Sequence, residues 1–399
     1  MDEHDKPAGQ APGGYGAGTR LLRAGRPHSG WVNTPVTRAS TYIFDSVQQW
    51  RDTRSRRDKE RLISYGARGT DSTYALEDAL IELEGGYRAK LYPTGQAAIA
   101  LVLLAYLKTG DHVVITDAVY EPVRRFCAEH LTRLGIEYSY CLPDGSDLAT
   151  QLRPNTRMIY AESPGSLAYE MMDLPAVAKL ARAHDCWLAV DNTWGSGLLY
   201  QPLALGADIS IIAATKYLGG HADVMMGVAI TNERAWAPLE RASVDFGQTV
   251  GADDAYLVLR GMRSMPARMA MHGRSALRIA DWLQSRPEVA RVLCPALPGD
   301  PSHALWKRDC RGTNGLLSIE FAPGIEDADV ERMIDSFQLF GLGASWGGFE
   351  SLVVPAYMLR ARTVADWNGR GAVLRLHIGL EDTEDLIADL EQALTSLRR

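Results

Sequence analysis

The chain alternates between two hydrophobic rhythms. Short, near-continuous apolar runs recur at "RAKLYP", "DHVVITDA" (Asp111–Ala118), "TRMIYAES" (Thr156–Ser163), "CWLAVDNT" (Cys186–Thr193), "ADISIIAAT" (Ala207–Thr215) and "GVAITN" (Gly227–Asn232). Runs this short and this rich in Val, Ile and Ala read as strands buried on both faces. Between several of them lie segments with helical spacing, such as "GQAAIALVLLAYLKTG" and "DLPAVAKLARAHD". The second opens on Asp173, a side chain suited to an N-cap, with a proline two residues on. Strands alternating with helices predict an α/β domain built on a mostly parallel sheet.

After about Asp254 the texture changes. The long helical stretch "AYLVLRGMRSMPARMAMHGRSALRIADWLQSR" leads into a smaller part with strand-like "GLLSIEFAP" and "AVLRLHIGL" and an acidic helix in "IEDADVERMIDSF". The last segment, "EDTEDLIADLEQALTSL", reads as an amphipathic helix with carboxylates in its first turn, where they favour the helix dipole. This places a domain boundary near residue 256, and a chain of 399 residues is long enough for two cores.

Composition narrows the function classes. The chain carries 42 basic and 49 acidic side chains, a formal net charge of −7, with no basic run interleaved with aromatics. That balance gives no support for a nucleic-acid partner. No apolar stretch reaches the length of about 20 residues needed to cross a bilayer, so no membrane partner is expected. The Gly/Pro-rich start, "MDEHDKPAGQAPGGYGAG", reads as a disordered tail without a secretion signal. The five cysteines are scattered and never paired as CxxC, which fits a reducing cytoplasm and argues against a thiolate metal site. The nine histidines likewise form no ligand pair of the HExxH kind, so no metal is expected.

Ligands of such sheets bind beyond the carboxyl ends of the strands, which makes the polar residues there the ones to question. "CWLAV" runs into Asp191, and "SIIAA" runs into Thr215 and Lys216. Alone, Lys216 reads as a surface lysine behind a finished strand, and Asp191 as a loop cap. Together they meet the needs of pyridoxal 5′-phosphate, which takes a lysine for its aldehyde and an acid against its ring nitrogen. "YPTGQAAIALVLLAYL" adds a turn and a helix start whose free N–H groups, at Gly95 and Gln96, suit a phosphate. Tyr120, again past a strand end, supplies an aromatic ring to stack on a pyridine, although by itself it reads equally as packing.

From about Thr19 to the C-terminus the chain resembles the Cys/Met-metabolism family of pyridoxal-phosphate enzymes, and within it the β-lyase branch. The motifs that carry the resemblance include "VNTPVTRASTYIFDS", "YGARGT", "ELEGG", "VYEP", "ESPGS", "VDNTW", "AATKYLGGHAD", "PALPG", "SWGGFES" and "LRLHIGLED". "ESPGS" and "AATKYL" look like the β-lyases rather than the γ-synthases and γ-lyases, which usually place a serine where this chain has Ala213.

The resemblance implies a fold type I enzyme, with a mostly parallel seven-stranded sheet in a large domain and a smaller α+β C-terminal domain. It implies a tail over residues 1–18, an arm over 19–60 at a subunit interface, a cofactor-binding domain over 61–256 and a small domain over 257–399. Lys216 then matches the Schiff-base lysine, Asp191 the partner of the ring nitrogen and Tyr120 the stacking tyrosine, while Gly95, Gln96 and Thr215 match phosphate contacts. Arg375 matches the clamp on a substrate α-carboxylate, a role its planar fork suits, and Ser345 and Trp346 match the loop that seats the same group. Tyr65, and with it Arg68, is expected to serve a neighbouring subunit's cofactor in a homotetramer.

The implied reaction is β-elimination on L-cystathionine or a related cysteine conjugate, serving methionine and cysteine metabolism and yielding a thiol, pyruvate and ammonia. Two other readings stand beside it: γ-elimination or γ-replacement on homoserine-derived substrates, and a non-catalytic paralogue. One position departs from the family pattern Tyr-x-Arg, whose arginine reaches a phosphate. Here the residues are Tyr65-Gly66-Ala67-Arg68, with alanine at that place.

Overall fold

The computed structural model describes residues 14–27, 30–57 and 59–398. The stretch expected to be disordered therefore lies, through residue 13, outside the described residues, and the helix Ala17–Arg23 begins at its end. The large sheet has seven strands: β1 (Arg88–Tyr92), β2 (His112–Thr116), β3 (Glu137–Cys141), β4 (Thr156–Glu162), β5 (Trp187–Asp191), β6 (Ile209–Ala213) and β7 (Gly227–Thr231). Their order across the sheet is β1-β7-β6-β5-β4-β2-β3. All neighbours run parallel except β7, which is antiparallel to both β1 and β6. The inner strands β2 and β7 are buried along their whole length, and β6 along all but its last residue, because helices cover both faces of the sheet.

Six of these strands stand where the hydrophobic runs place them. The seventh, β3, has the sequence EYSYC and pairs only with β2. As an edge strand it is only half-buried, so its polar residues break the continuous apolar signal. The expected N-cap is present: the Asp173 carboxylate accepts the Ala176 N–H at 3.4 Å and starts the helix Leu174–Ala183.

The C-terminal part builds a second sheet from β8 (Val289–Leu293), β9 (Leu316–Phe321), β10 (Gly341–Leu342), β11 (Leu352–Pro355) and β12 (Val373–His377). Their order is β10-β11-β12-β9-β8. Helices Asp327–Ile334 and Thr383–Thr395 pack on it. The helix Ala252–Leu283 connects the two halves without a break over 32 residues. Its residues from Ala255 to Met269 bury into the first core, and those from Ala276 to Leu283 into the second. Residue 256, where the sequence changes texture, therefore marks the start of a shared helix, and the change of core comes later along it.

One contact ties the halves together beside the strand ends. Asp117, fully buried just past β2, accepts the backbone N–H groups of Thr363, Val364 and Ala365 at 2.8–3.0 Å. The Arg124 guanidinium closes on the same carboxylate. Burial pushes the Asp117 carboxyl up, but these N–H groups and the arginine outweigh it and hold it below the ordinary carboxylate range. Among the described residues no helix is long and apolar enough to cross a membrane. Asp117→Ala should cost about 3–5 kcal/mol, because it leaves a buried guanidinium without its counter-charge. Thermal unfolding measures this, and an unchanged melting temperature would contradict it.

Candidate active site

The carboxyl ends of the parallel strands open into one cavity of about 430 Å³. Lys216 and Asp191 both line it. Asp191 is the last residue of β5, and Lys216 follows β6 in a turn closed by the Gly219 N–H on the Ala214 carbonyl. Thr193 fixes the spacing between the two strand ends. Its hydroxyl donates to Asp191 Oδ1 at 2.6 Å and accepts the Ala213 N–H at 3.0 Å, and its own N–H donates to the same carboxylate at 2.9 Å.

The Lys216 amine donates to the Ser345 hydroxyl at 2.5 Å and lies 5.2 Å from the centre of the Trp346 ring. Burial pushes the Lys216 ammonium down to about 8, the Arg375 charge adds to this, and Asp191 opposes it. The amine is thus available as a free base within reach of neutral pH.

A residue the sequence reading passed over, Glu162, lies next to Asp191. The two are register partners at the ends of β4 and β5, and both are buried. Burial and then the Asp191 charge push the Glu162 carboxyl up to about 8. Asp191 has the Thr193 donors and the Lys216 charge on its side, so it carries the negative charge and Glu162 keeps its proton. Glu162 Oε2 also accepts the Tyr120 N–H at 2.7 Å, and Oε1 meets the Ser166 hydroxyl at 2.6 Å. It holds the expected stacking ring at the cavity wall. The signal is present in "ESPGS", whose acid ends the buried strand β4.

The helix start that the sequence offers to a phosphate also faces the cavity. Thr94 caps the helix Gly95–Tyr106 by accepting the Ala97 N–H at 3.0 Å. The N–H groups of Gly95 and Gln96 precede the first intrahelical bond and have no protein acceptor among the described residues. A Cβ at Gly227, across from this turn, would stand 2.2 Å from the Thr94 carbonyl, so only glycine lets the strand approach so closely. Thr215 also lines the cavity, its hydroxyl bridging to the Met226 backbone.

Arg375, from β12, also lines the cavity and donates through Nη2 to the Ser345 carbonyl at 2.9 Å, while its buried Nε has no partner among the described residues. Ser345 sits at φ 84, a left-handed conformation that a serine adopts only under constraint. Tyr65 and Arg68 do not line this cavity. They lie on an exposed segment where Gly66–Arg68 makes a single 3₁₀ turn, and Arg68 lines a separate small groove instead. The turn also sets how Ala67 and Arg68 are placed relative to each other. In extended backbone their side chains would point to opposite faces, whereas in a 3₁₀ turn they lie about 120° apart.

The family described as Cys/Met metabolism PLP-dependent enzyme matches residues 18–395. A cystathionine beta-lyase of Bordetella avium is 48% identical over 369 residues, covering 91% of this chain and 92% of that protein. Cystathionine beta-lyase MetC of Escherichia coli is 42% identical, covering 94% and 96%. The crystal structure of metB from Corynebacterium glutamicum superposes with a TM-score of 0.88 at 31% identity, covering 97% of this chain and all of that one. The fold and the cavity define a fold type I enzyme that works with pyridoxal 5′-phosphate. The chain belongs to the Cys/Met metabolism PLP-dependent enzymes, and it is a carbon–sulfur lyase similar along its length to cystathionine β-lyases.

With Lys216 near 8, reductive labelling of the apoenzyme's Lys216 by a small neutral aldehyde should rise as pH increases through about 8 and then level off. A midpoint near 10.5, the ordinary lysine value, would contradict the desolvated site.

Proposed function

We propose that the enzyme cleaves the Cβ–S bond of L-cystathionine, giving homocysteine, pyruvate and ammonia with the uptake of one water. The observation that carries this reading is the cavity itself, which Lys216, Asp191 and Arg375 all line, and it is supported by the similarity along the chain to proteins named cystathionine beta-lyase.

The residues fit the cofactor. The free N–H groups of Gly95 and Gln96 suit its phosphate, Asp191 its ring nitrogen, Tyr120 its ring face, and Lys216 its aldehyde. When bound, pyridoxal 5′-phosphate supplies an electron sink for the pair left on Cα. Asp191, the charged member of the acid pair, keeps the ring nitrogen protonated, and Glu162 stays neutral so that no second charge competes. Arg375 takes the substrate α-carboxylate with its two-pronged fork, and the Ser345–Trp346 backbone closes the seat. Lys216 is the base that takes the Cα proton, and its lowered pKa suits that task near neutral pH. The same ammonium then stands beside the departing sulfur, where it stabilises the thiolate.

We further propose a homotetramer working in the cytoplasm, in which Tyr65 and Arg68 of one subunit reach the cofactor of the next. The arm that precedes them in the chain exposes Trp31 and Ile43 at 69% and 88% in the single chain, which suits burial against another copy. Arg68, on the same 3₁₀ turn as Ala67, takes over the contact that the family assigns to the missing arginine.

Incubation with L-cystathionine should release pyruvate and homocysteine in equal amounts. Release of 2-oxobutyrate and cysteine would instead assign γ-elimination, and release of neither would contradict a lyase acting on this substrate.

A further inference from the structure

We propose that His377 is a positioning residue for the carboxylate seat, its Nε2 pinning the Gly347–Gly348 backbone so that Ser345 and Trp346 keep their places beside Arg375 and Lys216. This rests on the reading that Arg375 and the Ser345–Trp346 loop receive the substrate α-carboxylate.

Strand alternation puts Arg375 and His377 on the same face of β12. Each holds one end of the same short loop. Arg375 donates to the Ser345 carbonyl at 2.9 Å. His377 Nε2 lies 3.1 Å from the Gly347 nitrogen, whose N–H donates to it, and 3.2 Å from the Gly348 carbonyl. Either tautomer of the ring therefore bonds one of two successive glycines.

The loop needs holding. Ser345 and Gly347 both have left-handed backbones, at φ 84 and 87. A Cβ at Gly347 would stand 2.9 Å from the Lys216 carbonyl carbon and the Tyr217 nitrogen. The loop thus presses directly on the turn that carries the reactive amine. Between its two anchors, Trp346 packs on Tyr217 with ring centres 5.4 Å apart.

The histidine is itself immobilised from behind. Its ring meets His272 at 5.4 Å and Tyr217 at 6.0 Å between centres. Gly315 closes the remaining side, where a Cβ would stand 3.0 Å from the ring. Burial, and then the neighbouring His272, push His377 down to about 3, so it is a neutral hydrogen-bonding group throughout the working range. Its neighbour is held too, since the His272 Nδ1–H donates to the Ile378 carbonyl at 2.8 Å. The mechanism described above uses neither histidine, yet both are enclosed at the junction of the two cores.

The test compares His377→Gln, whose amide reaches the place of Nε2, with His377→Asn, whose amide falls short. L-alanine, which has the carboxylate but no leaving group, and ethylamine, which lacks the carboxylate, are titrated into each holoenzyme and read by the visible absorbance of the bound cofactor. His377→Asn should weaken L-alanine about tenfold while leaving ethylamine unchanged, and His377→Gln should stay within about threefold of the native enzyme for both ligands. Equal behaviour of the two variants, or equal loss of both ligands in His377→Asn, would overturn the proposal. Arg375→Leu separates the two levels of the argument. If it loses L-alanine while both His377 variants keep it, the pinning role fails alone, and if it keeps L-alanine, the seat fails and the proposal with it.

Discussion

The structure turns on an amine and a carboxylate held at neighbouring strand ends with most of their water removed. Taking either ion out of water costs several kcal/mol, and the rest of the site is arranged so that each charge has one defined partner. Thr193 makes this possible by joining both strand ends through a single hydroxyl, which fixes Asp191 relative to the turn carrying Lys216. Glu162, beside Asp191 in register, shows the cost of crowding a second acid there. It keeps its proton and contributes by holding the backbone of Tyr120.

The second core supplies what the first cannot. Its strand β12 delivers Arg375 to the cavity, and its loop delivers the hydroxyl that receives the Lys216 hydrogen bond. The active site is thus closed by two independently packed sheets, and contacts such as Asp117 with residues 363–365 keep them in register. The shared helix Ala252–Leu283 spans both cores, so a shift of one sheet against the other is resisted along its whole length. Arg375 also lowers the affinity of Lys216 for its proton, which makes the small core part of the chemistry as well as of the binding.

Much of this was legible in the residues, for physical reasons. Strands buried in a covered sheet are mostly apolar, so six of the seven in the large domain announce themselves, and a lysine or aspartate at the end of such a run stands out. Edge strand β3 escapes because it is half-solvated, and β10, two residues long, has no periodicity to detect. Glu162 and His377 escape for another reason. Their importance lies in what they touch across the fold, which sequence spacing does not encode. Glu84 is the same kind of residue. It sits at the end of the helix Asp71–Glu84, fully buried, accepting from Asn192 at 2.7 Å and Ser210 at 3.1 Å. Burial pushes it up to about 7, and nothing in "ELEGG" reveals that it braces the residue next to Asp191.

The most direct measurement is on Lys216→Ala, purified, shown to be folded and supplied with an excess of pyridoxal 5′-phosphate. The account predicts that this variant lacks the visible absorbance band of the lysine-held cofactor and forms no pyruvate from L-cystathionine. A variant that kept either the band or the product would show that the amine at the end of β6 is not the one on which the chemistry depends.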